Sequence, residues 1–200
     1  MLELPNDVSI YSVRQEAYVK AKLVRLDRNI AAKQIDGTWW KLQVSKTLRS
    51  DEGDNHWEWR KLVGEHRNNA NWDALGIQRS NDCVEGAILY RIDAKSQIEK
   101  GKGAVYVDRI ATAPQNRGWL AGPPKYKGIG SVLLLAAVRH SYLLGLEGRV
   151  WLSSLPSEKT RGFYRGKGFH VIFEEQDGMI DFELSAAAAQ KWLKDKGYLS

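Results

Sequence analysis

The segment that decides the fold reads Lys125-Tyr126-Lys127-Gly128-Ile129-Gly130-Ser131, and it leads into a predicted helix over residues 130–144. Glycines at such a point let the backbone curl, so that several N–H groups face one concavity. The helix N-terminus adds the positive end of its dipole, and the two lysines add further positive charge. The segment therefore predicts a site for an anion such as a pyrophosphate, with a simple tight turn as the alternative.

Two other phosphate-binding fingerprints are excluded by the residues present. The chain contains no Gly-x-x-x-x-Gly-Lys-Ser/Thr string, which excludes a P-loop of the Walker type. Leu133 stands where the third glycine of a dinucleotide-binding fingerprint belongs. The predicted anion site is therefore of another kind.

A second glycine-containing segment, Gly162-Phe-Tyr-Arg-Gly-Lys-Gly-Phe169, closes a predicted short helix and enters a strand. Phe163 and Phe169 are expected to pack in the core, and Gly168 is expected to end the helix in the left-handed conformation. Packing alone does not explain Tyr164, because its phenol can also donate a proton.

These two segments, together with Val105-Tyr-Val-Asp-Arg-Ile-Ala-Thr-Ala-Pro114, resemble the GNAT N-acetyltransferase superfamily in their order and in their strand–loop–helix context. The resemblance covers about residues 77–184. It implies an α/β (α+β) fold with residues 1–200 as a single domain. The implied central sheet is mixed, mostly antiparallel, splayed at the cofactor site and flanked by helices.

The resemblance also implies an activity, which is acetyl transfer from acetyl-CoA to a primary amine by direct transfer, without a metal. Tyr164 would be the general acid that protonates the departing thiolate, with its pKa near that of the thiol and its hydroxyl near the sulfur. The amides of Tyr126 to Ser131 would hold the pyrophosphate of coenzyme A, and the backbone of Ile110 to Thr112 would pair with its pantetheine arm. The implied cofactor residues are Ile110, Ala111, Thr112, Lys125, Tyr126, Lys127, Gly128, Ile129, Gly130, Ser131 and Ser157.

The chain departs from the family pattern at several positions. Lys125 replaces Gln or Arg, and Ser157 stands where many members have Asn. The largest departure is an insert, Gly118-Trp-Leu-Ala-Gly-Pro-Pro124, which separates Arg117 from the glycine loop. The insert either covers the cofactor, shapes the acceptor site or forms a surface loop.

A group that accepts the proton of the acceptor amine is also needed, because only a neutral amine is a nucleophile. The candidates are Asp108 and Glu85, on neighbouring predicted strands. An ion pair with Arg109 or Arg91 is the alternative role for Asp108. Ser153 and Ser154 are candidates for positioning the acceptor or a water molecule. No Gly-x-Ser-x-Gly elbow surrounds these serines, which argues against a serine nucleophile.

Composition narrows the class of protein. The 200 residues, 43% of them hydrophobic, suit one domain, and the single Cys83 excludes an internal disulfide and is expected to be structural. The net charge of +6 comes from scattered Lys and Arg, which favours a basic surface over a nucleic-acid interface. The four histidines, among them His140 on a predicted helix surface, lack metal-ligand spacing.

The N-terminus has no secretory pattern and the longest apolar run is too short for a membrane span, so a cytoplasmic monomer or homodimer is expected, with no membrane. The expected partner is a small-molecule amine or a protein amine. Two alternatives stay open: a catalytically silent coenzyme A-binding regulatory module, and an acetyltransferase that acts on aminoacyl-tRNA or protein.

Periodicity and turn residues predict the elements of the chain. Helices are expected over residues 15–32, 57–68 with Asn55 as N-cap, 130–144, 156–166 and 186–196. Strands are expected over residues 8–13, 77–80, 84–93, 104–111, 149–153, 170–175 and 179–184. Turns are expected at Asp36-Gly37, Asn81-Asp82 and Asp177-Gly178.

Two further patterns in the N-terminal third have alternative interpretations. Trp39-Trp40 and Trp57-Glu-Trp59 either line a pocket or pack in the core. The acidic stretch Asp51-Glu-Gly-Asp54 either attracts a cationic acceptor or is a solvated loop.

Overall fold

The computed structural model describes residues 6–41, 52–80, 83–176 and 178–199. The strands are β1 (Asp7–Ser12), β2 (Ala17–Arg25), β3 (Trp72–Ser80), β4 (Cys83–Lys95), β5 (Gly103–Thr112), β6 (Tyr126–Lys127), β7 (Val150–Ser154), β8 (His170–Glu174) and β9 (Ile180–Leu184). The α-helices are α1 (Arg28–Ala31), α2 (Trp59–His66), α3 (Gly118–Ala121), α4 (Ile129–Leu143), α5 (Glu158–Arg165) and α6 (Ala186–Asp195). Within these ranges, no helix is long and apolar enough to cross a membrane.

Internal contacts group the chain into two compact units. Among the described residues, the N-terminal unit comprises 6–41, 52–80, 83–89 and 109–134, and the C-terminal unit comprises 90–108, 135–176 and 178–199. The boundaries fall inside β4, β5 and α4, so the chain passes between the units within these elements.

The sheet of the N-terminal unit has the strand order β6-β1-β2-β3-β4. β1 pairs antiparallel with both β2 and β6, and β2 pairs antiparallel with β3. The predicted strand over residues 8–13 is confirmed as β1.

The helix expected over residues 15–32 is wrong, because most of this stretch is the strand β2. Val19, Ala21 and Leu23 also fit a period of two, in which Lys20 and Lys22 alternate with them and are exposed. Pairing with β1 and β3 resolves the ambiguity in favour of the strand. The helix begins only at Arg28, where Asp27 accepts hydrogen bonds from the N–H groups of Asn29 and Ile30 at 2.8 and 2.7 Å.

Helix α2 is shorter than predicted, and Asn55 does not cap it. The Asp36 carboxylate caps it instead, accepting from the N–H groups of Trp59 and Arg60 at 2.9 Å each. Asn55 Nδ2 donates to the Glu52 carbonyl at 2.7 Å. Because the capping side chain lies 23 residues away, local spacing did not indicate it.

Tryptophans form much of the core of the N-terminal unit. Trp39 and Trp59 are 1% and 2% exposed, and their rings meet edge to face with centroids 6.1 Å apart. Trp39 Nε1 donates to the Val84 carbonyl at 2.7 Å, which satisfies its polar group inside the core. Trp39 and Trp59 therefore pack in the core of this unit.

The C-terminal unit has the strand order β4-β5-β7-β9-β8. β9 pairs antiparallel with β7 and with β8, whereas β5 and β7 are parallel. Within the described residues of this unit, the parallel pairing ends at Val107 and Leu152, although β7 continues to Ser154. The expected mixed, mostly antiparallel sheet is confirmed, and these two strands separate after a short pairing.

Most elements of the C-terminal unit lie where the sequence predicted them. Gly145 ends α4 with a φ of +76°, and Ser185 caps α6 by accepting from the Ala188 N–H at 3.3 Å. His140 was expected on a helix surface, but it is 8% exposed and bonds the Tyr90 hydroxyl through Nδ1 at 2.8 Å. The Asn81-Asp82 turn and Asp177 lie outside the described residues.

Candidate functional site

The glycine loop of the N-terminal unit leads directly into α4. Gly128 has a φ of +85°, a conformation that favours glycine, and the helix begins at the next residue. The Val132 N–H donates to the Gly128 carbonyl at 3.0 Å. The N–H groups of Ile129, Gly130 and Ser131 precede this bond, so they have no partner within the helix. The first turn of α4 therefore presents these N–H groups at the place where the sequence predicts an anion site, and the site itself stays a prediction.

Gly86 on β4 provides the seat for this turn. A Cβ at Gly86 would lie 2.3 Å from Ile129 Cγ2 and 3.2 Å from both the Ala111 carbonyl oxygen and Leu133 Cδ1. Only glycine therefore allows the buried Ile129 side chain to pack this closely on β4. Sequence reasoning missed Gly86, since nothing in the local pattern distinguishes it from other strand glycines.

Glu85, a candidate proton acceptor, lies in a cluster of polar side chains. Its side chain is 2% exposed, and Oε1 is 3.2 Å from Lys125 Nζ. Oε2 accepts from Gln115 Nε2 at 3.0 Å and from Asn116 Nδ2 at 2.8 Å. Partial burial opposes the charge on Lys125, but the nearby Glu85 carboxylate more than offsets this and raises the pKa of Lys125.

The Tyr126 amide, predicted to hold a pyrophosphate, donates instead to Asn116 Oδ1 at 2.9 Å. Lys127 is exposed and pairs with Tyr11 of β1.

Burial, and secondarily Glu85, raise the pKa of the Cys83 thiol, which keeps it protonated and agrees with a structural role.

Arg117, which sequence reasoning did not single out, is the centre of a buried ion network. Its side chain is 5% exposed, and it forms a two-pronged pair with Asp54 and a contact with Glu52 Oε2 at 2.6 Å. Burial alone would lower the pKa of Arg117, but the carboxylates of Asp54 and Glu52 raise it. The guanidinium also lies over the Trp40 ring, 5.4 Å from its centroid.

This network corrects two expectations. The solvated-loop interpretation of the acidic stretch is wrong for Glu52 and Asp54, because both are engaged by Arg117; Asp51 lies outside the described residues. The backbone of Thr112 is predicted to pair with a pantetheine arm, but its carbonyl accepts from Arg117 Nε at 2.9 Å and from Nη2 at 2.7 Å. The cofactor role of Ile110 and Ala111 stays a prediction.

The insert begins with the short helix α3 and is partly anchored. Trp119 is 49% exposed and donates through Nε1 to Glu52 Oε1 at 2.6 Å, while Leu120 is buried. The first half of the insert is therefore anchored through Trp119 and Leu120, although Gly118 and Trp119 lie at the surface.

A cavity of about 1080 Å³ in the N-terminal unit is lined by both tryptophan pairs, together with Asp36 and Arg60. Its described lining contains none of the predicted cofactor or catalytic residues. Across the described residues, no group of three or more His, Cys, Asp or Glu side chains has the arrangement of a metal site.

The other predicted residues belong to the C-terminal unit. Tyr164 lies on α5 at 5% exposure, with its ring centroid 5.7 Å from Phe169 and 5.5 Å from Phe182. Burial raises the pKa of Tyr164 above its ordinary value of 10, which makes the phenol a weaker acid and departs from the expected pKa near that of the thiol. Ser157 occupies the N-cap position of α5, although its hydroxyl does not cap the helix.

Asp108 follows Val107, the last β5 residue paired with β7, and is half-buried. Ser153 lies just beyond the corresponding point on β7, and its hydroxyl donates to Asp181 on β9. The hydroxyl of Ser154 donates to the Leu155 carbonyl at 3.0 Å. Asp108 and Ser153 thus mark the place where these two strands separate.

No protein-family model matches the chain, and no curated protein matches it in sequence. Solved structures do match its fold. The GNAT domain of S. lividans PAT is 15% identical with a TM-score of 0.60, covering 91% of this chain and 99% of that one. A mutant AtaT toxin bound to the C-terminus of the antitoxin AtaR and acetyl-CoA is 16% identical with a TM-score of 0.58, covering 88% and 98%. FdhC, a nucleotide-linked sugar GNAT, is 12% identical with a TM-score of 0.56, covering 96% and 97%.

Proposed function

We propose that this chain, whose fold is that of the GNAT acetyltransferases, is an acetyl-CoA-dependent N-acetyltransferase that acts on a primary amine. The observation that carries the proposal is the first turn of α4. Gly128 turns the chain into the helix and Gly86 seats it, which presents the amides of Ile129 to Ser131 to an anion. A pyrophosphate is such an anion, and the AtaT structure contains acetyl-CoA.

In this proposal, backbone groups of two segments hold coenzyme A. The amides of Ile129, Gly130 and Ser131 bind the pyrophosphate, and the backbone of Ile110 and Ala111 pairs with the pantetheine arm. The Tyr126 amide and the Thr112 carbonyl do not take part, because Asn116 and Arg117 occupy them. Lys127 is exposed and adds positive charge beside the loop.

The reaction joins the acceptor nitrogen to the acetyl carbonyl carbon and breaks the thioester C–S bond, which releases the thiol. Tyr164 donates the proton that the departing sulfur receives, because a tyrosine phenol is protonated at neutral pH. Asp108, at the end of the parallel pairing, receives the proton that the amine loses. The acceptor is the amine of a small molecule or of a protein.

Calorimetry with coenzyme A tests the cofactor proposal. Gly86→Ala should abolish measurable binding, because its new Cβ displaces Ile129 and with it the first turn of α4. Gly76→Ala is the matched control: its Cβ would meet Leu26 and Val84 side chains at 2.7 and 2.9 Å, without touching α4. Both variants should lose stability, and only Gly86→Ala should lose coenzyme A. Wild-type protein that binds no coenzyme A would refute the proposal.

A thiol-release assay with acetyl-CoA and a panel of amines tests the acid. Tyr164→Phe should lower kcat about 10²- to 10⁴-fold while the Kd for acetyl-CoA stays unchanged. Tyr90→Phe removes another buried phenol, the partner of His140, and should leave kcat unchanged. A fully active Tyr164→Phe variant would remove the acid assignment. Tight coenzyme A binding without turnover on any amine would favour a silent binding module.

A further inference from the structure

The Glu85 carboxylate has no oxygen left without a donor. Oε1 faces the Lys125 ammonium, and Oε2 accepts from Gln115 and Asn116. Even its backbone carbonyl is engaged, by the Ala113 N–H at 2.9 Å and Asn116 Nδ2 at 3.2 Å. A proton acceptor has to lie within hydrogen-bond reach of the proton it takes. Because the Glu85 side chain is only 2% exposed and lies among these partners, an acceptor amine would have to displace them to reach it.

The partners of Glu85 lie on both sides of the insert 118–124. Gln115 and Asn116 precede the insert, and Lys125 follows it. The two sides are also bonded to each other, since the Lys125 N–H donates to the Gln115 carbonyl at 3.0 Å and the Tyr126 N–H donates to Asn116 Oδ1 at 2.9 Å. The base of the insert is therefore closed by a ring of hydrogen bonds around one buried carboxylate.

This ring continues directly into the first turn of α4. Tyr126 stands two residues before Gly128, where the chain turns into the helix. The position of the Tyr126 backbone therefore determines where the helix N–H groups begin. Through Asn116, the buried carboxylate holds that backbone against β4.

We infer that Glu85 is a positioning residue, which anchors both ends of the insert and sets the loop that precedes α4. It is not the proton acceptor of the reaction. The consequence for coenzyme A rests on the proposed function, whereas the anchoring of Tyr126 does not.

Loss of Glu85 would also release the charge of Lys125, which would strengthen anion binding, but this effect is smaller than the loss of the anchor. Without Glu85, the ammonium would be free to attract a phosphate. Its side chain is 55% exposed, so solvent screens that attraction. The hydrogen bonds lost around Glu85 are buried and charge-assisted, and such bonds are the stronger contribution. Loss of Glu85 should therefore weaken anion binding.

Amide hydrogen exchange of the peptide that contains Tyr126 tests the anchor without any ligand. Glu85→Gln and Asn116→Ala should each accelerate exchange at Tyr126 about tenfold, and the double variant should exchange no faster than either single variant. The matched control is Glu183→Gln, another fully buried carboxylate, which accepts from the Gln97 and Ile98 N–H groups at 2.7 and 3.2 Å. The control should leave exchange at Tyr126 unchanged. Unchanged exchange in Glu85→Gln would overturn the inference.

Kinetics then separate positioning from proton transfer. Glu85→Gln should weaken acetyl-CoA binding about tenfold, and its kcat should keep the decrease at low pH that the true proton acceptor causes. Loss of that decrease in Glu85→Gln, with unchanged acetyl-CoA binding, would make Glu85 the base and overturn the inference. If the wild-type protein bound no coenzyme A, the proposed function would fail, and the exchange result would still decide whether Glu85 is the anchor.

Discussion

Two buried arginines, one in each unit, look alike until their partners are compared. The side chains of Arg117 and Arg149 are 5% and 3% exposed, and each faces two carboxylates. The partners of Arg117, Glu52 and Asp54, are only 16% and 9% exposed. The partners of Arg149, Glu99 and Glu147, are 31% and 48% exposed. Removal of Arg117 would leave two carboxylates in the interior, whereas removal of Arg149 would leave two that water can reach. The burial of the partner carboxylates should therefore decide how much each arginine contributes to the free energy of unfolding.

The two arginines also differ in the backbone that they hold. Arg117 donates to the carbonyl of Thr112, the last residue of β5. Arg149 donates to the carbonyl of Leu146, three residues earlier in the turn that precedes β7. The first contact fixes the end of a strand assigned to the cofactor, and the second stabilises a local turn. Only the Arg117 network should therefore affect cofactor binding as well as stability.

The largest effect is expected from Arg117→Met. Loss of one partner of a buried ion pair costs about 3–5 kcal/mol, because the remaining charge is left uncompensated. Urea denaturation should show this loss in the free energy of unfolding, and calorimetry should show weaker acetyl-CoA binding. Arg117→Lys keeps the charge but not the planar fork, so it should recover only part of the loss. A smaller loss than that of Arg149→Met would contradict the explanation by partner burial.

Arg149→Met should cost about 2 kcal/mol in the same denaturation experiment. The variant loses charge-assisted hydrogen bonds to Glu99 and Glu147, both 2.7 Å long, but the two carboxylates can be hydrated after the change. The Kd for acetyl-CoA should remain that of the wild type. A weaker Kd would mean that the distinction between the two networks is wrong.

The sequence predicted those features that depend on neighbours along the chain. The glycine loop, the helix after it and the cap Ser185 all involve residues within a few positions of one another, and each lies where local pattern placed it. The strand β2 failed because its apolar residues fit both periods, and only pairing with β1 and β3 decides between them.

Partners that are distant in sequence could not be predicted in this way. Arg117 and Asp54 are 63 residues apart, Asn116 and Glu85 are 31 apart, and the cap Asp36 precedes its helix by 23 residues. From its sequence neighbours alone, each of these polar residues could equally be a solvent-exposed side chain. For this reason the sequence indicates Glu85 only as a candidate proton acceptor and does not reveal its hydrogen-bond partners Gln115 and Asn116.

Acidification should weaken the Arg149 network through protonation of Glu99. The hydrogen bond from Arg149, followed by that from the Ala186 N–H, lowers the pKa of Glu99 below its ordinary value of 4.5. A lowered pKa contributes stability above the ordinary value, and this contribution is lost as pH falls through the lowered pKa. Glu99→Gln should lose about 1–2 kcal/mol at neutral pH. Its free energy of unfolding should then fall less steeply below about pH 4.5 than that of the wild type. Parallel curves for the two proteins would contradict this prediction.

The smallest effect is expected from Trp119→Phe, which removes the indole donor to Glu52 and keeps an aromatic ring. In the wild-type background the cost should be about 0.5–1 kcal/mol, because Glu52 keeps Arg117 and Trp119 is half exposed. In the Arg117→Met background the same substitution should lower the free energy of unfolding by more. Glu52 has then lost Arg117, and the indole N–H is one of the few donors left to its carboxylate. A double-mutant cycle in urea measures this coupling. Equal costs in the two backgrounds would show that Glu52 gains water when Arg117 is lost, and that partner burial does not distinguish the two networks.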